Sequence, residues 1–468
     1  MLGLALSFTG AFYRLRRSRE ARTLSCIDNG YPSRMLKQTG HALMRVIYNI
    51  TMYVLTPVIL YRLALRGVRH RGYLSRWAER FGFFPDPGLR DTLWVHAVSV
   101  GEVNAAAPMI DVLRERYPQY PIVVTTVTPT GSDRVRRIWG DSVFHVYLPY
   151  DLPASIRRFL KRVRPRLAII METEIWPNLF FCCHDRKLPI VVANARLSER
   201  SLRGYGPVRP LARMAIRCAE WVAAQSQQDA DRLIELGADR SRVIIAGNLK
   251  YDMDVPEFLD EQARDWREAW GEQRPVWIAA STHEGEEEKV IDAHSRVLRR
   301  FPDALLLIAP RHPERFRPVV QLCRQMGFRT SCRSEDGLAS MDSQCFVIDT
   351  LGELLGFFAA ADVAFVGGSF TTIGGHNVLE PAALGVPVLV GPHTFNFTEV
   401  TDLLLESGAC LRVANDVELA ETVQTLLDDK NRCNDMGNRA RETVEAQRGA
   451  LRRILSMLKG LLGSKAAI

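Results

Sequence analysis

Hydrophobic and polar positions divide this chain into an apolar N-terminal stretch and two series of alternating elements. Between Arg45 and Arg62 nearly every residue is apolar, with Tyr48, Tyr53 and Tyr61 interleaved, and leucines beyond Arg62 prolong the run. The stretch falls short of the roughly 20 residues a membrane-crossing helix needs, so a full span and a helix lying in the interface both stay open. After Pro87 short β-branched runs alternate with helical spacing. The first predicted strands are TLWVHAV (92–98), PIVVTTV (121–127), VFHVYL (143–148), RLAIIM (166–171), PIVVAN (189–194) and RVIIAG (242–247). A second series follows: PVWIAA (275–280), ALLLIA (304–309), CFVID (345–349), DVAFVGG (362–368) and VPVLVG (386–391). Continuous apolar strands separated by helices predict parallel sheets covered on both faces. The fold class is therefore α/β, with two doubly wound Rossmann-like domains.

The polar, acidic stretch Tyr251 to Trp266 marks their boundary. The expected organisation is a basic, disordered extension (1–43), an anchor helix (44–66), a first domain (67–255), a second domain (256–445) and an amphipathic basic helix (446–468) packed on the body. The working start of the protein is expected near Met44. At 468 residues the chain is too long for one ordinary core. Its apolar share of 47% and charged share of 24% are those of a globular protein. The net charge of +8 suits anionic lipids or anionic small molecules. Nucleic acid is disfavoured, because the arginines gather near the apolar stretch and not in a stripe interleaved with aromatics. Nine scattered cysteines without zinc spacing fit a reducing setting.

Nearly every unusual polar cluster stands just past a predicted strand, which is where open α/β sheets bind ligands. The first series carries SVGE (99–102), TPTG (128–131), METEIWPN (171–178), NARLSERS (194–201) and GNLKYD (247–252). The second carries STHEGEEE (281–288), PRHPERF (310–316), DTLGEL (349–354), GGSF (367–370) and GPHTFNF (391–397). The absence of GxGxxG and GxxxxGK[ST] argues against dinucleotide dehydrogenases and P-loop enzymes, and leaves nucleotide-sugar transfer or sugar epimerisation. In GGHNVLEP (374–381), Asn377 and Glu380 have the spacing of a capping box, but Pro381 would then stand at the fourth helical position and remove a helical bond. The alternative is a carboxylate receiving the vicinal hydroxyls of a ribose, with Gly374 and Gly375 permitting close approach. Glu102 is expected at a helix start, either as a dipole-stabilised carboxylate or as a general base. Strand alternation would put Glu172 and Glu174 on one side, so that one pKa rises unless a cation such as Lys250 compensates. Asp349 or Thr350 is a candidate helix cap, and Gly352 would let backbone amides face a ligand. Asp252-Met-Asp254 reads as an incidental DxD, and neither a metal nor a cofactor is expected.

Together HAVSVGE, TTVTPTG, METEIWPN, NARLSERS, GNLKYD, PRHPERF, GGSF and GGHNVLEPAALGVPVLVGP resemble the Kdo transferases, the 3-deoxy-D-manno-octulosonic acid transferases of glycosyltransferase family 30. The resemblance runs from about Met44 to the C-terminus. It implies a GT-B fold whose two domains face across a cleft, an N-terminal inner-membrane anchor and a cytoplasmic catalytic body. The reaction implied is an inverting transfer of Kdo from CMP-Kdo to the lipid A precursor (lipid IVA) in lipopolysaccharide synthesis. Glu102 matches the proton acceptor of that family, and Glu172 and Lys250 match its transition-state stabilisers. The CMP contacts fall on Pro310 and Arg311, on Leu351, Gly352 and Glu353, and on Asn377, Val378, Leu379 and Glu380. A UDP-GlcNAc 2-epimerase shares the two-domain pattern but has no need of the apolar stretch. The number of Kdo residues transferred and the oligomeric state are not legible in the sequence.

Overall fold

A computed structural model describes residues 32–463 apart from His70 and Asp254. The chain forms two compact units, one built from the residues up to Asp252 together with those from Gly449 onward, the other from Met253–Arg448. Of the expected basic extension, residues 1–31 lie outside the described residues, and helix begins before the expected anchor boundary, at Pro32. This N-terminal helix runs Pro32–Arg69, longer at both ends than 44–66. A proline in the first turn costs no helical hydrogen bond, and no proline interrupts the chain between it and the apolar run. Within the helix, Ala42–Val68 is long and apolar enough to cross a membrane.

In the first unit the strands are β1 (Thr92–His96), β2 (Ile122–Thr126), β3 (Phe144–Tyr147), β4 (Pro165–Met171), β5 (Ile190–Ala195), β6 (Trp221–Ala224) and β7 (Val243–Ile245). They form one parallel sheet in the order β3-β2-β1-β4-β5-β6-β7. The second unit holds β8 (Val276–Thr282), β9 (Leu305–Pro310), β10 (Thr330–Cys332), β11 (Cys345–Val347), β12 (Val363–Val366), β13 (Val388–Val390) and β14 (Cys410–Arg412). These too are parallel, in the order β10-β11-β9-β8-β12-β13-β14. Every strand expected from the sequence is present. The sequence pattern does not announce β6, β10 and β14: β6 is four residues with two alanines, and β10 and β14 are three-residue edge strands with polar members.

Strand alternation sends successive side chains to opposite faces, and both faces are covered. In the first sheet Trp94, Val123 and Ile170 enter one core, while Leu93, Val124 and Ile169 enter the other. In the second, Trp277 and Leu306 face one core, and Ile278 and Leu307 the other. The last helix, Ala450–Gly463, returns to the first unit, where Ile454, Leu455, Leu458 and Leu462 join the core that holds Val95 and Val103. Asp252 ties down its start, accepting from the Gly449 N–H at 2.6 Å and the Leu451 N–H at 2.7 Å. The first carboxylate of the apparent DxD is thus a structural cap, and Asp254 lies outside the described residues.

Candidate active site

The strand order reverses direction between β1 and β4 in the first unit and between β8 and β12 in the second. Such a switch point opens a crevice beyond the carboxyl ends of the two strands. The sequence clusters SVGE and METE stand at the first, and STHEGEEE and GGSF at the second.

In the first unit Ser99 is the N-cap of helix Val100–Arg116, and its side chain accepts from the Glu102 N–H at 3.4 Å. Glu102 answers by accepting from Ser99 Oγ at 3.0 Å and from the Val98 N–H at 2.8 Å. The S-x-x-E spacing is a capping box, and it holds a 7% exposed carboxylate in one orientation. Burial pushes the Glu102 pKa up to about 7; the Glu172 and Glu174 charges add to the rise, and the Val98 and Ser99 donors oppose it. A carboxyl with a pKa near neutral is a serviceable general base.

Glu172 and Glu174 reach this crevice by a route other than strand alternation. β4 ends at Met171, and Glu172 adopts φ 56°, the left-handed region. The turn, and not the pleat, gathers the acidic groups. Trp176 Nε1 donates to Glu174 at 2.8 Å, and burial still raises the Glu174 pKa. Lys250 does not compensate these carboxylates: among the described residues its ammonium makes no ion pair or hydrogen bond. Its backbone is fixed instead. Asn248 Oδ1 accepts the Lys250 N–H at 3.0 Å, and Asn194, at φ 54°, accepts the Leu249 N–H at 2.9 Å. Left-handed conformations at non-glycine residues store strain and cluster at functional sites, and Ser281 at φ 57° supplies a third among these strand ends.

The crevice of the second unit is built from histidines and glycines. Glu286, fully buried, accepts from the N–H groups of His283 (3.1 Å), Gly368 (2.6 Å) and Phe370 (2.7 Å), binding STHEGEEE to GGSF. His283 Nε2 lies 2.7 Å from His376 Nε2 with the rings stacked, so one of the pair carries the proton that the other accepts. The His312 ring is 5.2 Å from that of His283. Burial lowers the His376 pKa to about 4, aided by His283, Arg311 and His312. His283 is lowered by burial and by the same His312 and Arg311 charges. These imidazoles were not among the residues expected to bind, although each lies within an expected strand-end cluster. Their convergence depends on pairings between strands that spacing along the chain does not reveal.

The expected donor contacts fall around this cluster. Pro310 ends β9, and the Arg311 N–H bonds Thr282 O at 2.9 Å, leaving an exposed guanidinium whose charge is felt by His283, His376 and Glu380. The short helix Leu379–Ala383 has Val378, not Asn377, as its N-cap, so no capping box forms here. Pro381 consequently occupies the third helical position, where an N–H has no helical partner to lose. Asn377 instead donates from Nδ2 to Glu380 Oε1 at 2.9 Å and accepts from the Leu379 N–H at 3.1 Å. Burial raises the Glu380 pKa, against the lowering effect of Asn377 and Arg311. Gly374 and Gly375 have φ 102° and 79°, and both donate their N–H to Gly368 O. Their freedom serves a tight turn on the protein itself.

The DTLGEL segment is arranged differently from expectation. Neither Asp349 nor Thr350 caps helix Leu354–Ala359; Glu353 is its N-cap, and Asp349 is spent on Ser334, whose N–H it accepts at 2.7 Å. The Glu353 carboxylate pairs with Arg333, which holds its pKa down. Among the described residues the amides of Leu351 and Gly352 donate to nothing, and Gly352 has φ 96°. Cys332, Glu335 and Asp336 bring three potential metal-ligand groups together, but Asp336 already accepts from the Cys332 N–H.

Comparison with known proteins shows what the chain as a whole resembles. Residues 75–253 match the family model of 3-deoxy-D-manno-octulosonic-acid transferase (kdotransferase), and residues 338–443 that of glycosyl transferases group 1. A 3-deoxy-D-manno-octulosonic acid transferase from Haemophilus influenzae is 41% identical, with 89% of this chain and 99% of the relative covered. The Bordetella pertussis protein of the same name is 36% identical over 90% of this chain and all of the relative. Among solved structures, UDP-GlcNAc 2-epimerase from Neisseria meningitidis bound to UDP-GlcNAc shares the fold, with TM-score 0.54 and 14% identity over 78% of this chain and 99% of that one.

Proposed function

The chain belongs to the Kdo transferase family and has the GT-B fold, and from that premise we propose that it moves Kdo from CMP-Kdo to the lipid A precursor lipid IVA, with inversion, at the cytoplasmic face of the inner membrane. The observation that carries this reading is Glu102: a capping box orients its carboxylate, burial raises it to about 7, and it stands at a switch point.

In this reading the carboxylate of Glu102 takes the proton from a primary hydroxyl of the acceptor disaccharide. The freed oxygen forms a bond to the anomeric carbon of Kdo while the bond from that carbon to the phosphate oxygen breaks, and CMP leaves with the electron pair. The acidic turn of Glu172 favours the positive charge that develops on the sugar. Lys250, whose ammonium has no partner among the described residues, offsets negative charge as CMP departs. Fixed charges aimed at a developing charge are the largest contribution many transferases make. Donor binding is assigned to Pro310, Arg311, the free amides of Leu351 and Gly352 with Glu353, and the Asn377 to Glu380 turn. A net charge of +8 suits a phosphorylated lipid acceptor and anionic lipids around it.

The test is the full chain incubated with CMP-Kdo and tetraacylated lipid IVA. Kdo-modified lipid is expected, and CMP but not UDP should raise the melting temperature. Absence of transfer, or protection by UDP alone, would return the chain to the sugar-epimerase reading.

A further inference from the structure

The N-terminal helix turns an apolar face outward. Its half-buried and buried positions recur with helical period and mix polar Arg45, Tyr48, Asn49 and Thr56 with apolar Met52, Leu55, Ile59 and Leu63. The outward face presents Ile47, Ile50, Val54, Val58, Tyr61 and Leu65, all exposed. Of the polar side chains on that face, Thr51 is spent on Ile47 O, and Arg66 lies near the end, over the Tyr73 ring. Only 6% of the most apolar part of the helix is buried. A helix of a water-soluble body shows the opposite pattern.

The same helix is fastened along the body of the first unit. Arg45 pairs with Asp185 at 2.9 Å and lies over the Phe181 ring. The Tyr48 hydroxyl donates at 2.8 Å to Asp151, a buried carboxylate that also accepts the N–H groups of Asn178 and Leu179. Farther along, Tyr53, Pro57 and Leu60 share a cavity of about 530 Å³ with Phe81, Leu152 and Arg158 of the body. Contact with the body therefore extends from Arg45 to Leu60. Only eight residues of the apolar segment follow, about 12 Å of helix, against roughly 30 Å of bilayer core. Just beyond the helix, Leu74, Trp77 and Phe83 are exposed and extend the apolar surface. Exposed Arg66, Arg157 and Arg186 flank it with positive charge.

We infer that this helix does not cross the membrane but lies in one leaflet, its outward apolar face sunk among the lipids and its inward face strapped to the first unit. The occupant is lipid: the surface joins a continuous apolar strip to aromatic side chains and basic groups, the chemistry of an anionic membrane interface. The inference is independent of the reaction catalysed.

Epitope tags at both ends of the full chain test it. In sealed right-side-out and inverted membrane vesicles, proteinase K should digest or spare the two tags together; tags protected on opposite sides would establish a span and overturn the inference. In flotation of the purified chain with 3:1 phosphatidylcholine–phosphatidylglycerol vesicles, the triple variant Ile47→Glu, Val54→Glu, Leu65→Glu should bind at least about 10-fold more weakly at an unchanged melting temperature. Equal flotation of the variant, or dissolution of a dimer without loss of vesicle binding, would overturn it as well.

Discussion

The two units share a seven-stranded parallel plan and load the same topological position, yet their crevices carry opposite chemistry. At the first, a left-handed turn crowds Glu172 and Glu174 toward a buried Glu102, and burial with like charge holds a proton near neutrality. At the second, three imidazoles and Arg311 gather round a glycine turn, and burial with like charge drives protons away from His283 and His376. One plan thus raises the pKa of a carboxyl in one place and lowers that of two imidazoles in the other. The difference lies in which residue types occupy a few positions past five strands.

That contrast is open to breakage. The largest expected effect is from Glu102→Gln, which should lower transfer by ~100- to 10,000-fold, the span of a lost general base, with CMP binding unchanged in a thermal-shift titration. A joint loss of both would erase the division of labour. Arg311→Ala should weaken CMP by ~10- to 100-fold in calorimetry, as loss of a charge-assisted hydrogen bond does, while the pH midpoint of the reaction stays put. Glu380→Ala should weaken CMP by ~3- to 10-fold, as for a neutral hydrogen bond; unchanged binding would confine Glu380 to orienting Asn377. The smallest effect is on the pH profile. A protonated Glu102 cannot take a proton, so kcat/KM should fall as pH drops through about 7. Glu172→Gln removes a like charge and should move that midpoint to lower pH, whereas His376→Ala should leave it in place.

The sequence carried the strand-end clusters because apolar runs and polar punctuation are local. It did not carry the geometry within them. Pro381 argued against a capping box at Asn377 and Glu380, and Val378 indeed takes that cap; the genuine box, Ser99 with Glu102, was equally legible as S-x-x-E but went unread. The fourth strand ends at Met171 as expected, but its alternation was carried on to Glu172 and Glu174, because a positive φ leaves no trace in residue type when glycine is not used. Lys250 was paired by charge with carboxylates it does not touch. The histidine pair joins positions 93 residues apart, beyond any local pattern.

The return of the last helix to the first unit bears on how the protein is made. Residues from Gly449 onward complete a core begun at Leu93, and Asp252 waits for their amides. As the ribosome releases the chain from its N-terminal end, the first unit emerges early with an apolar face uncovered. The second unit, continuous from Met253 to Arg448, can close as soon as it is released. The first unit is therefore completed only after the second has been released, and a ribosome stalled before Ala450–Gly463 would leave it exposed to chaperones and proteases.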